Sequence, residues 1–178
     1  PPVANAGANQ TICLGGSATL VASGGGTYVW SPGGQTSDII TVSPSSNTTY
    51  TVTVTDNNGC TATASVNVTV NPLPVVNVSP AQSICVGQSV TLTATGATSY
   101  TWSPSGNTTG TITVSPGSST TYAVTGTNAN GCSATNFVSV TVNPLPIVNL
   151  SNIFICVGND SYLDAGNPGS TYLWSNGQ

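Results

Sequence analysis

Three observations predict an all-β chain built as a tandem array of small antiparallel β-sandwiches. Thr, Ser, Val and Asn dominate the composition, with Gly and Pro as punctuation, which is strand and turn material. Apolar residues alternate with polar ones at period two in one run after another. The pattern also occurs twice: Cys13 and Cys85, Trp30 and Trp102, and Cys60 and Cys132 each lie 72 positions apart. A stretch of about 70 residues closes a small core of its own, so the repeats are expected to be separate beads and not turns of a solenoid. The expected division is 1–72 for the first repeat and 73–144 for the second. Residues 145–178 form the N-terminal part of a truncated third, which carries Cys156 and Trp174.

Taken in order, each repeat opens on a short leading strand, near residues 75–78 in the second copy. Ala18, Leu20 and Ala22, matched by Val90, Leu92 and Ala94, give the next strand one apolar face. Tyr28 and Trp30, with Tyr100 and Trp102, supply the third strand. Trp30 is assigned inward because its neighbour Val29 becomes Thr101 in the second copy, so the opposite face tolerates a hydroxyl. Ile40 and Val42, with Ile112 and Val114, make the fourth. Tyr50, Val52 and Val54 then alternate with threonines, as Tyr122 and Val124 do later, and the run 60–70 keeps period two throughout.

Asp56-Asn57-Asn58-Gly59 joins these last two runs, and Asn130-Gly131 does so in the second copy. Asn-Gly between alternating runs predicts a type I′ hairpin with both residues at positive φ. Six or seven such strands make a two-sheet sandwich. A Trp on the third strand facing a late, Tyr-bearing strand makes it immunoglobulin-like. The expected core aromatics are Trp30, Trp102, Trp174, Tyr50 and Tyr122.

The chain lacks Lys, Arg, His and Glu, and its only charges are Asp38, Asp56, Asp160 and Asp164. General acid–base or nucleophilic catalysis has no residues to work with, so the segment is read as not an enzyme. Nucleic-acid binding and attraction to anionic lipid both need cations that are absent. No apolar run has the length of a transmembrane helix, so direct membrane insertion of this segment is not expected. No cofactor is implied, and no metal either. Asp56-Asn57-Asn58-Gly59 loses its carboxylate in the second copy, Asn128-Ala129-Asn130-Gly131, whereas calcium wants several oxygens including charged ones.

The two cysteines of each full repeat sit 47 positions apart, one before the second strand and one opening the last. Four strands lie between them, and an even number of traverses returns the chain to the same end of the sandwich. Disulfides Cys13–Cys60 and Cys85–Cys132 are therefore expected, one per complete domain, with the partner of Cys156 beyond Gln178. Closing a loop of about 48 residues contributes roughly 4 kcal/mol in the chain-entropy account. Disulfides in every unit place the protein outside the cytoplasm. Between the repeats, Pro72, Leu73 and Pro74 recur as Pro144, Leu145 and Pro146. Proline fixes φ and biases its predecessor toward extended geometry, so the joint is expected to be stiff, with Leu73 and Leu145 plugging the space between beads.

Taken together, Ala6-Gly7, Gln10-Thr11-Ile12-Cys13, Tyr28-Val29-Trp30-Ser31-Pro32, Thr49-Tyr50-Thr51-Val52 and Asp56-Asn57-Asn58-Gly59-Cys60 resemble the immunoglobulin-like or PKD-like repeats of large Bacteroidota surface proteins, gliding-motility adhesins among them. The resemblance covers the chain and implies export by the type IX secretion system to the outer surface of a Gram-negative cell, with no catalytic residues. One departure is that Ser31-Pro32-Gly33 follows Trp30, where PKD repeats carry an acidic stretch.

The function expected is a non-catalytic, semi-rigid shaft of a cell-surface adhesin or extracellular filament. Its partners would be the adjacent repeats, other copies of itself in a filament, and surface polysaccharide. Two alternatives stand beside it. Individual beads would bind carbohydrate or protein, with Phe137 placed outward where the first copy has Ser65. Otherwise the incomplete third repeat would polymerise by strand complementation.

Overall fold

The computed structural model describes residues 2–148, 155–157, 165, 166, 168, 169, 171 and 173. Trp174, Asp160 and Asp164 lie outside the described residues. Two β-sandwiches follow one another along the chain, with no helix among the described residues. Strands β1 (Gln10–Cys13), β2 (Ala18–Val21), β3 (Thr27–Ser31), β4 (Ile39–Val42), β5 (Thr48–Thr55) and β6 (Thr61–Asn71) build the first. One sheet has the order β1-β6-β5-β3 and faces the pair β2-β4.

The second sandwich contains β7 (Asn77–Val78), β8 (Gln82–Cys85), β9 (Val90–Thr95), β10 (Ser99–Ser103), β11 (Thr111–Val114), β12 (Thr120–Thr127) and β13 (Ser133–Asn143). Its sheets run β10-β12-β13-β8 and β11-β9-β7. A single bridge, Asn5 to Ser23, takes the place of β7 in the first sandwich.

Burial follows the sequence alternation. Leu20, Trp30, Ile40, Val42, Tyr50, Val52, Val54, Val66 and Val68 form one core. Leu92, Trp102, Ile112, Val114, Tyr122, Val124, Val138 and Val140 form the other. The two tryptophans reach their partners the same way: Trp30 Nε1 donates to the Ser37 carbonyl at 3.0 Å and Trp102 Nε1 to that of Thr109 at 2.9 Å. A large ring is thereby buried without stranding its one polar atom. The sheet order, with a central Trp strand beside the late Tyr strand, is the immunoglobulin-like sandwich. Val52 stands two residues after Tyr50, where antibody domains carry their second core cysteine, and no cysteine enters the first core.

Two expectations change. The sandwich is not wholly antiparallel: β1 runs parallel to β6, and β8 to β13. The leading segment begins in one sheet, where Asn5 pairs with Ser23, and continues in the same direction into the other sheet as β1. A strand that changes sheets without turning back must meet the last strand in parallel. In the second copy Pro80, which lacks an N–H, sits at this transfer between β7 and β8.

The hairpins are also not type I′. No residue other than glycine has positive φ, and in the first hairpin only Gly59 does, at 80°. The reason is a side-chain cap: Asp56 Oδ1 accepts the N–H groups of Asn58 and Cys60, both at 2.9 Å. Asn128 Oδ1 does the same for Asn130 and Cys132, both at 3.0 Å. An Asx cap of this kind holds residues 56–58 in right-handed turn geometry and leaves the left-handed residue to glycine.

Candidate functional site

The residues that act beyond a single bead gather where the two sandwiches meet. Asn71 ends β6, and its carbonyl accepts the N–H of Leu14 at 2.8 Å, which ties the end of β1 to the end of β6. The capped hairpin 128–132 of the second bead is applied to this end. Asn128 Nδ2 donates to the Pro72 carbonyl at 2.9 Å. Cys132 Sγ lies 4.0 Å from the Asn71 carbonyl oxygen. A half-cystine sulfur has no proton, so that last approach is packing and not a hydrogen bond.

The covalent link runs across the junction. Cys13 is bonded to Cys132, with the α-carbons 5.6 Å apart. The expected pairs Cys13–Cys60 and Cys85–Cys132 do not form; Cys60, Cys85 and Cys156 are exposed free thiols. The register of β1 explains the difference. Cys13 lies opposite Asn71, at the C-terminal end of β6, whereas Cys60 precedes Thr61 at its N-terminal end. An eleven-residue strand puts those ends about 33 Å apart.

The parity count fails at β4. Strict reversal would make β3 and β5 run the same way, because one strand lies between them in the chain. They pair antiparallel, so one of the connections flanking β4 crosses the length of the sandwich instead of turning back. Four intervening strands then leave the two cysteines at opposite ends.

Burial records the consequence. Cys132 is fully buried, while Cys60, in the same capped turn of the first bead, is exposed. The joint residues Pro72, Leu73 and Pro74 span the junction, but Leu73 is not a buried plug, being 40% exposed. Pro144, Leu145 and Pro146 are all exposed, Leu145 at 59%. The place that an apolar plug would fill is taken by the disulfide and the Asn128 hydrogen bond.

Elsewhere the surface is polar without charge. Thr49 Oγ1 donates to Asn67 Oδ1 at 2.7 Å, and the hydroxyls of Thr51 and Ser65, Thr125 and Thr135, and Thr127 and Ser133 pair at 2.8–2.9 Å. Phe137 stands out from the face of β13 at 62% exposure. A shallow groove of about 280 Å³ runs between Pro32, Gln35, Thr41 and Tyr50. No group of three or more potential metal-ligating side chains occurs among the described residues, and no helix there is long and apolar enough to cross a membrane.

No protein-family model matches the sequence, and no curated protein does so significantly. Among solved structures, the insect immune protein hemolin is similar over 80% of this chain and 47% of its own, at 19% identity and a TM-score of 0.45. The N-terminal Ig1-2 module of the Drosophila receptor protein tyrosine phosphatase DLAR is covered over 99% of its length, at 17% identity and 0.33. Immunoglobulin domains 1–4 of Sidekick-1 are covered over 48%, at 15% identity and 0.38. The chain thus spans about half the length of hemolin and of the Sidekick-1 fragment. At these similarities the immunoglobulin-like assignment rests on the sheet order and cores of the chain itself.

Proposed function

We propose that the chain is a segment of the non-catalytic, semi-rigid shaft of an exported cell-surface adhesin or extracellular filament. It belongs on the outer surface of a Gram-negative bacterium of the Bacteroidota and leaves the cell by type IX secretion. Its units are the repeats 1–72 and 73–144 and the start of a third at 145–178. Its principal partners are its own neighbouring repeats, with other copies of itself and surface polysaccharide as further contacts.

The observation that carries this reading is the bridge between beads. A disulfide inside a bead would stabilise that bead alone. One placed between beads restricts the angle of the joint, which is what a rod requires and an isolated binding module does not. A proline-flanked linker adds to the restriction, and a disulfide supports an oxidising location. Electron microscopy and small-angle scattering of the purified chain test it. The expected result is an extended particle with the beads in line; freely jointed beads would overturn it.

A second reading, direct binding of carbohydrate or protein by a bead, is favoured by the exposed Phe137. A glycan array probed with the full chain at millimolar sugar separates the two, and the shaft reading expects no binding.

A further inference from the structure

Every local feature that sets up the Cys13–Cys132 bridge exists a second time, without its partner. On the strand side, Leu14 N–H donates to the Asn71 carbonyl and Gly16 N–H to that of Cys13, both at 2.8 Å. In the second bead, Val86 N–H donates to Asn143 and Gln88 N–H to Cys85, both at 3.0 Å. Cys85 therefore ends β8 in the same tied turn, with Asn143 opposite it in parallel register as Asn71 is opposite Cys13.

On the hairpin side, Asn128 N–H donates to the Cys132 carbonyl and Gly131 N–H to Asn128, at 2.9 and 3.0 Å. Asp56 N–H to Cys60 and Gly59 N–H to Asp56 repeat both distances. Both unused cysteines are exposed.

We propose that Cys85 and Cys60 are the two open halves of a bridge that recurs at every joint of the array. Cys85 takes the hairpin cysteine of the repeat that follows the second bead, and Cys60 takes the first-strand cysteine of a repeat that precedes the first. The partner in each case is a thiol at the end of another bead of the same fold, and Cys156 is the next first-strand cysteine in the series. The inference rests on the array reading above.

One difference marks the joint at Cys60. Asp56 stands where Asn128 does, and a carboxylate cannot donate to the preceding bead's proline carbonyl as Asn128 donates to Pro72. That joint is held by its bridge without the accompanying hydrogen bond.

Each bridge forms by thiol–disulfide exchange with a small or protein disulfide as oxidant. One cysteine thiolate attacks the oxidant's disulfide and expels a thiolate. The second cysteine thiolate then attacks the mixed disulfide and expels the other. Two protein thiols lose their protons and become one disulfide, while the oxidant's disulfide is reduced to two thiols.

The test inserts one further copy of residues 73–144 after residue 144 of the full chain and oxidises the product with glutathione disulfide. The chain then has two cysteines beyond its present five. Two bridges between beads leave three free thiols, and substitution C85S then leaves four, because the inserted hairpin cysteine loses its partner. Five free thiols in the inserted chain would show that the bridge does not propagate. One free thiol, or two after C85S, would show cysteines pairing within a bead. Either result overturns the proposal, as would absence of the Cys13–Cys132 linked peptide, which reports the folded state of the original joint. Electron microscopy of the same preparation reads the shaft proposal separately. Rods with five free thiols remove only the recurring bridge, and two-bridge particles that are not extended remove only the shaft.

Discussion

Gly126 and Val54 occupy the same position of the repeat, and the cores accommodate the exchange. In the first bead Val54 is fully buried, beside the partly buried Ala4. In the second, a β-carbon added to Gly126 would lie 2.6 Å from Val76 Cγ2 and 2.7 Å from Ala97 Cβ. Val76 and Ala97 correspond to Ala4 and Gly25, so two residues grow where one shrinks. Substitution Gly126→Val should therefore cost about 1–3 kcal/mol by overpacking. Each kcal/mol lowers the melting temperature of a bead this size by roughly 4–8 °C. Adding V76A and A97G should recover most of the loss in a thermal melt, and no recovery would refute the compensation.

Trp102→Phe tests the other core device. It leaves the Thr109 carbonyl without its indole donor, which should cost about 1–3 kcal/mol in denaturant unfolding.

Strands carry the next level of organisation, and here the directions of β1 and β6 matter more than their composition. Because they are parallel, the first-strand cysteine sits at the end of the bead that faces its successor. The chain-entropy account gives about 5 kcal/mol for a loop of about 120 residues, a constraint on the unfolded chain that spans both beads. Substitution C13S should leave both cores folded while freeing the joint. The expected outcome is a broadened distance distribution between spin labels placed one in each bead, with both melting transitions retained. Cooperative unfolding of the second bead on loss of the bridge would contradict it.

Substitution N128D should act in the same direction but more weakly. It keeps the acceptor that caps the hairpin and removes the donor to Pro72. The same labels should report a broadening smaller than that of C13S.

Across the chain, the surface is hydroxyl and amide, with a net charge of −4 and no cationic side chain. Without Lys, Arg or His there are no side-chain ion pairs to screen. Raising the salt from about 0.05 to about 0.5 M should leave the melting temperature unchanged or slightly higher. A marked fall with salt would be inconsistent with this composition. The absence of Lys and Arg also removes every trypsin-type cleavage site, so digestion should leave even the denatured chain intact. Both properties suit a shaft exposed outside the cell.

Much of this was legible in the residues. Period-two alternation assigned every core face, from Leu20 to Val68 and from Leu92 to Val140, because in a strand the side chain's direction is a local property. The 72-residue repeat announced two equivalent sandwiches, and the composition left no residues for familiar catalytic chemistry. The turn type was not legible, because the Asp56 cap competes with the Asn-Gly preference and wins. The cysteine pairing was misread for a deeper reason. Counting strands gives the number of traverses but not the direction of each, and one connection beside β4 crosses the sandwich without reversing. Which end of a bead each cysteine occupies is thus fixed by pairing between strands 48 or more residues apart, such as β1 with β6. Only the folded arrangement shows that Cys13 reaches across the joint to Cys132.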